Sequence, residues 1–340
     1  KGSGLADRFS WQGRLEFPET RFVFEREKGE RVAGQLTGVV NVTGGGSEGM
    51  ASFEVVSKRV DSQWQEVLCK ASRFVVRGEI GPVRYEALSP GLWSALKRVN
   101  VAGQAEADGI EGEWRDRVGW RNSAFLLPFR WSGASQTWQM PSGEAANSAF
   151  FSPGEVSVDG WTFRGERGSI AWGPAGQLDV RTDLRVMPGP VKLEVMQQFD
   201  LRLPPHVVVK INMPNVSIGE GQDWYQRIPG LAGVELEGTA SGQARFQSDF
   251  RDLTGRVDGS IRDVDVRLPS QSTVIRGVSS DFEFAGIRPI RTPPHQKVTF
   301  TSGALGGVPI GSGMLQLQVE PGGVFFIEQG EAEWSGGMVR

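Results

Sequence analysis

The most constraining feature of this sequence is an alternation of apolar and polar residues with a period of two. Between Leu193 and Leu203 the apolar residues fall mainly on odd positions and the charged ones mainly on even positions, and the pattern restarts at Val207. Successive side chains of a β-strand point to opposite faces of its sheet, so this alternation is typical of strands with one apolar and one polar face. The pattern predicts about 18 to 22 such strands, separated by turns rich in glycine and proline.

The predicted fold class is all-β. The 46 glycines and 19 prolines among 340 residues disfavour a helical bundle. Many amphipathic strands with few helices favour a long, curled antiparallel sheet that forms an elongated open groove of the β-taco kind, and a β-sandwich is the alternative. Short helices are expected only near residues 89–96 and 223–228. A parity change between Ile261 and Val264 predicts a β-bulge inside one strand.

We expect a β-rich N-terminal portion over residues 1–152 and a β-groove portion over residues 153–340, or one continuous domain. Residues 108–150 are less regular and contain four tryptophans, so they are interpreted as a long connection or an insert.

The residue inventory predicts no catalytic residue, no metal and no cofactor, and therefore no enzyme. The charges are balanced, with 37 basic against 40 acidic residues, which disfavours a nucleic-acid partner. Two histidines and one cysteine are too few for the usual zinc sites, and neither a nucleophile elbow nor a phosphate-binding loop is present. The lone Cys69 lies in an alternating pattern and is interpreted as a small buried hydrophobic residue.

Two other function classes stay open. Eleven tryptophans and paired carboxylates, such as Glu331 and Glu333 near Trp334, fit a carbohydrate-binding or glycoside-cleaving β-domain. An interaction scaffold that pairs through exposed sheet edges is the third possibility.

The C-terminal part of the chain resembles a known family. The glycine-rich segments 238–246 and 253–261, then 277–284, 293–296, 326–328 and 334–337, are similar to AsmA-like repeats and to the C-terminal domain of YdbH-type proteins, historically named "dicarboxylate transport". The likeness covers about residues 230 to 340. The historical name is discounted, because the sequence shows no cluster of arginines arranged for dicarboxylates.

The resemblance implies a periplasmic protein of the bacterial cell envelope, tethered to the inner membrane by a segment outside this sequence. It implies a non-enzymatic conduit that carries phospholipid acyl chains between the inner and outer membranes through an apolar groove. Envelope lipoproteins or other periplasmic proteins are the expected partners. The candidate groove residues are the apolar members of the alternating sets: Leu193, Val195, Phe199, Leu201, Val207, Val209, Ile211, Phe246, Phe250, Phe282, Phe284, Phe300, Leu315 and Leu317.

Overall fold

The structure is a computed structural model. It describes residues 10–26, 30–45, 48–64, 66–84, 99–115, 117–135, 137–141, 148–173, 177–200, 206–219, 225–226, 231–249, 252–287, 290–320 and 324–340. Across these ranges the chain forms 25 strands and no α-helix. None of these residues forms a helix long and apolar enough to span a membrane.

The first six strands have 15 to 18 residues each, and most of the later strands are shorter. The long strands are β1 (Ser10–Arg26), β2 (Glu30–Gly45), β3 (Glu48–Trp64), β4 (Val67–Arg84), β5 (Asn100–Trp114) and β6 (Val118–Ser132). The next are β7 (Thr137–Gln139), β8 (Phe150–Ser152), β9 (Glu155–Val158), β10 (Trp161–Gly165), β11 (Ser169–Trp172), β12 (Gln177–Met187) and β13 (Lys192–Asp200). Four strands of intermediate length follow, β14 (His206–Ile218), β15 (Glu235–Ser248), β16 (Leu253–Leu268) and β17 (Thr273–Phe284). The last are β18 (Gly286–Ile287), β19 (Ile290–Arg291), β20 (Gln296–Phe300), β21 (Ser302–Leu305), β22 (Val308–Ile310), β23 (Gly313–Glu320), β24 (Val324–Trp334) and β25 (Gly337–Val339).

Twenty-three of these strands belong to one antiparallel sheet that stays open, and β18 pairs with β19 separately. The fold class predicted from the alternation is therefore confirmed. No second sheet of comparable size is present among the described residues, so the sandwich alternative is not the fold observed.

The chain divides into two compact units. The first consists of Lys1–Thr182 with Gln197–His206, and the second of Asp183–Met196 with Val207–Arg340. The boundary expected at residues 152/153 falls between β8 and β9, inside the first unit, and a division into independently folding domains stays a prediction.

In the first unit, strands β1 to β6 form an antiparallel meander in which each strand pairs with the next. The other edge of β6 pairs in turn with β9, β8 and β7 along its length. Strands β9 and β10 form a hairpin, and β11 pairs with β12.

The second unit contains a meander of β14 to β17. Strand β17 then pairs with both β20 and β21. The sheet continues from β20 through β23 and β24 to β25, and β21 forms a hairpin with β22.

The predicted bulge in β16 is confirmed. The register with β17 shifts between Ile261 and Val264, and Asp263 has φ +50°. The extra residue returns Val264 to the face of Ile261 and keeps the apolar side continuous.

The interpretation of residues 108–150 as an insert is wrong for the part described, since residues 108–114 lie in β5 and residues 118–132 form β6. One register shift adds a residue to β5 beside Gly109, at φ +58°, and a second adds a residue to β6 beside Asn122, at φ +56°. These two extra residues break the alternation in the sequence although both strands continue. The helix expected at 89–96 lies outside the described residues. Of the helix expected at 223–228 only Tyr225 and Gln226 are described, and they form a single 3-10 turn.

Candidate functional site

The first unit carries an apolar sheet face built from residues that are direct cross-strand partners on β1 to β6. It has five rows of six residues: Gly13–Val42–Ala51–Ile80–Val101–Trp131, Leu15–Val40–Phe53–Gly78–Gly103–Phe129, Phe17–Gly38–Val55–Val76–Ala105–Leu127, Thr20–Leu36–Ser57–Phe74–Ala107–Phe125 and Phe22–Gly34–Val60–Ala71–Ile110–Ser123. None of these residues is charged. We call this set the apolar face.

The apolar face carries three hydroxyls, and each donates to a backbone carbonyl of the chain. Thr20 Oγ1 lies 2.7 Å from the oxygen of Pro18, Ser57 Oγ lies 2.6 Å from the oxygen of Gln35, and Ser123 Oγ lies 2.7 Å from the oxygen of Pro153. A satisfied hydroxyl does not need water, so these rows behave as an apolar surface.

The opposite side of the same strands is polar. One row reads Glu16–Val39–Glu54–Arg77–Gln104–Pro128. Glu106 on this side accepts from both Arg73, at 3.0 Å, and Arg77, at 3.1 Å. The two faces of the meander therefore differ sharply in charge.

Exposure of the apolar face increases from β6 towards β1. Leu127 and Phe129 on β6 are 7% exposed, and the middle of the face, such as Val55 and Val76, is half-buried. Leu15 on β1 is 54% exposed. The apolar face is therefore closed at β6 and accessible at β1.

The closed end is formed by aromatic packing. Trp138 on β7 stacks on Trp172 of β11 at 5.5 Å and also contacts Trp131 and Phe129. Leu127 packs in a core cluster with residues of β11 and β12. The tryptophans of this region thus pack on the apolar side of the sheet.

The second unit has a matching apolar face on β14 to β24. Its rows are Val209–Phe246–Gly255, Ile211–Ala244–Val257–Phe284, Met213–Gly242–Gly259–Phe282 and Val216–Ala240–Ile261–Ser280–Val298–Leu315–Gly330. The Ser280 hydroxyl donates to the oxygen of Lys297 at 2.9 Å. Tyr225 covers one end of this face, where it packs against Ile218 and Ala240.

The structure brings nine of the fourteen candidate groove residues onto that one face. They are Val207, Val209, Ile211, Phe246, Phe282, Phe284, Phe300, Leu315 and Leu317. All are half-buried except Phe300, which is 8% exposed and belongs to a core cluster with Val264 and Val278.

Three of the remaining five candidates lie elsewhere. Val195 on β13 is 4% exposed, so its side chain is core, and Leu193 on the same strand is half-buried. Phe199 packs against the core cluster of Leu127 in the first unit. Leu201 and Phe250 lie outside the described residues.

Phenylalanine rings lie over glycines of the neighbouring strand in both units. A Cβ added at Gly255 would sit 2.2 Å from the ring of Phe246, one at Gly259 would sit 2.3 Å from the ring of Phe282, and one at Gly313 would sit 2.3 Å from the ring of Phe300. In each case the two residues are direct cross-strand partners. The rings therefore lie against the sheet and do not fill the space above it.

The sequence-based candidates omitted the whole apolar face of the first unit. The signal was present, since Val67, Cys69 and Ala71 and then Phe74 and Val76 alternate on β4. Bulges interrupt the corresponding alternation of β1, β3 and β5. Allowing one extra residue per strand restores the apolar alternation of each strand, although the partners across strands follow only from the structure.

Cys69 is half-buried on the apolar side of β4, opposite Ser62 and Gly112. Burial raises the pKa of the Cys69 thiol, and hydrogen bonds from Ser62 and Trp120 offset part of that shift. The thiol is therefore protonated at neutral pH, as expected for a packing residue.

The carboxylates Glu331 and Glu333 are on the opposite face of β24 from Trp334. Glu333 and Trp334 are sequence neighbours in β24, so they point to different sides, and Glu331 is paired with Arg340 at 3.1 Å. On β5, Trp114 shares the apolar side with Gly112 and Glu113 lies on the polar side. Within the described ranges, no group of three or more histidine, cysteine or acidic residues is placed to hold a metal ion.

Comparison of the chain with family models, curated proteins and solved structures returns no match. The likeness to the AsmA-like group therefore rests on the glycine-rich segments between residues 230 and 340.

Proposed function

We propose that the apolar face of the sheet binds the acyl chains of lipids and that the protein is a non-enzymatic carrier or conduit for phospholipid. One observation carries this proposal: thirty cross-strand partners on six strands form a surface without a single charged residue. The exposure of the face increases from a packed edge at β6 to an accessible edge at β1, where Phe17 is 40% exposed.

The dimensions of the apolar face suit a lipid tail. Strands lie about 4.8 Å apart, so the five gaps between β1 and β6 span roughly 24 Å. Burying one methylene is worth about 0.8 kcal/mol, so complete transfer of a sixteen-carbon chain gains roughly 12 kcal/mol. A chain lying on an open face keeps one side in water and gains about half of that, roughly 6 kcal/mol, which corresponds to reversible binding with a Kd of tens of micromolar.

This binding needs no particular side chain, because the hydrophobic effect is non-directional. It accounts for alternation sustained over many strands without a catalytic constellation. We extend the proposal, on the likeness to the AsmA-like group, to transfer across the periplasm between the inner and outer membranes.

The test is mass spectrometry of organic extracts from the purified protein, followed by titration with a fluorescent fatty acid. We expect co-purified phospholipid and saturable binding that unlabelled phospholipid displaces. Protein free of lipid that also fails to bind the fluorescent probe would contradict the proposal.

Two adjacent valines provide a matched pair of variants. Val40 lies on the apolar face between Leu15 and Phe53, and Val39 lies on the polar side between Glu16 and Glu54. Both are half-buried. Val40→Lys should weaken binding of the fatty acid by about sevenfold, since roughly three methylenes lose their contact and each gains about half of the full 0.8 kcal/mol on an open face. Val39→Lys should leave binding unchanged, and equal losses in both variants would show that the apolar side is not the binding surface.

A further inference from the structure

The polar side of the first unit contains a depression centred on a small residue among long ones. Ala33 of β2 has Arg31 and Gln35 as its nearest neighbours on the same face of the strand, and Asp61 is its partner on β3. The depression has a volume of about 540 Å³. Its centre is the methyl group of Ala33, whose neighbours are Arg31 and Gln35 along the strand, Asp61 on β3 and Val23 on β1.

Four cations from four consecutive strands line this depression: Arg21 on β1, Arg31 on β2, Arg59 on β3 and Lys70 on β4. The register assembles them, since Arg21 pairs with Gln35, Gln35 pairs with Arg59, and Asp61 pairs with Lys70. Arg21 and Arg59 are two strands apart, or roughly 10 Å between backbones, a distance that two guanidinium groups can close over Ala33.

Carboxylates neutralise only part of this charge. Arg59 Nε lies 2.9 Å from Asp61 Oδ2, and Arg31 Nε lies 3.5 Å from Glu25 Oε1. Arg21 and Lys70 make no ion pair with any described residue. The depression therefore keeps an excess of positive charge in a chain whose net charge is -3.

We propose that the depression around Ala33 binds a phosphate group, with Arg21, Arg31, Arg59 and Lys70 as its ligands. Guanidinium groups bind phosphate oxygens in pairs, and a lysine supplies a point charge. A phosphate presents three or more acceptor oxygens in different directions, which suits cations arriving from four strands better than a carboxylate does. The phosphate belongs to a lipid headgroup or is free in solution. This site lies on the polar side, so it stands independently of acyl-chain binding on the apolar face.

The test measures binding of inorganic phosphate to the full chain by calorimetry at low ionic strength. The double variant Arg21→Gln with Lys70→Gln removes the two cations that lack an ion pair, so no carboxylate loses a partner. We expect it to weaken phosphate binding at least tenfold. Ala33→Leu fills the depression without changing the charge and should produce a similar loss.

The matched control is Arg14→Gln with Arg130→Gln. These two residues lie in another row of the polar side and give the same change in net charge. The control should bind phosphate as the unchanged protein does. If the unchanged protein does not bind phosphate, or if the control loses as much affinity as the site variant, the cations are surface charge only and the proposal is wrong.

Vesicles distinguish the two sources of the phosphate. Sedimentation of the protein with phosphatidylcholine vesicles is compared between vesicles that contain phosphatidic acid and vesicles that do not. If phosphatidic acid increases binding and Arg21→Gln with Lys70→Gln abolishes the increase, the site takes a lipid headgroup. Binding of inorganic phosphate without an effect of phosphatidic acid assigns the site to free phosphate.

Discussion

The contact of Phe282 with Gly259 allows a quantitative prediction of how much this packing contributes to the unfolding free energy. The ring of Phe282 lies over Gly259, and a Cβ at that glycine would be 2.3 Å from Cζ and 2.5 Å from Cε2 of the ring. Gly259→Ala must therefore push the ring away from the sheet. The neighbouring Gly242 lies in the same row, and a Cβ there meets nothing closer than 3.3 Å.

The expected costs follow from this geometry. Forcing a methyl group under the ring costs about 2 kcal/mol of unfolding free energy, in the range found for overpacked cores. Phe282→Ala costs roughly 2 kcal/mol, less than for a fully buried ring because Phe282 is half-buried. In the double variant the methyl group occupies space the ring has left, and alanine is about 0.5 kcal/mol better than glycine in a strand. We therefore expect the double variant to cost about 1.5 kcal/mol, so the two substitutions are coupled by roughly 2.5 kcal/mol.

The assay is urea unfolding followed by far-ultraviolet circular dichroism for Gly259→Ala, Phe282→Ala, the double variant and Gly242→Ala. The control Gly242→Ala should change the unfolding free energy by less than about 0.5 kcal/mol. Additive costs in the double variant would refute the reasoning, as would a Gly259→Ala cost no larger than that of Gly242→Ala. Either result would mean that the ring does not pack on the glycine.

Three further predictions concern single positions. Burial raises the pKa of the Cys69 thiol, so a smaller fraction of this thiol is thiolate at pH 8 than in a free cysteine. Iodoacetamide should therefore modify Cys69 more slowly than free cysteine, and equal rates of modification would contradict this prediction. Asp263 has φ +50°, so Asp263→Gly should raise the unfolding free energy by about 0.5–1 kcal/mol in urea titrations, and a loss of stability would argue against the bulge. Pro18 lies at the register shift that interrupts the edge strand β1. Pro18→Val should increase self-association of the protein, measured by sedimentation velocity, because the edge would then be free to pair with another chain. An unchanged monomer fraction would show that the proline does not protect the edge.

Much of the fold could be predicted from local pattern. The alternation at residues 193–203 and 207–213 is a property of neighbours in the chain, and it identifies strands and their two faces without knowledge of the partners. The bulge near Asp263 was also predictable, because one extra residue changes the parity of every residue after it. The same effect hid the apolar face of the first unit, where register shifts in β1, β3 and β5 broke the alternation into short pieces.

Other features depend on register between distant strands. Gly255 and Gly259 accommodate the rings of Phe246 and Phe282, which are their partners across the strand pairs. No local cluster of arginines is visible in the sequence, but pairing of β1 to β4 collects Arg21, Arg31 and Arg59 around Ala33. Arg31 and Arg59 are 28 residues apart in the chain, and they become neighbours only through the hydrogen-bonded pairing of the strands.

The sequence by itself determined that this chain forms amphipathic strands, because side-chain direction along a strand follows from backbone geometry and alternates with every residue. Only the tertiary structure decided which residues share a surface, which aromatic ring covers which glycine, and where charge accumulates. Those outcomes depend on strand partners and on bulges that shift the register, and a shift of one residue moves every later side chain to the other face.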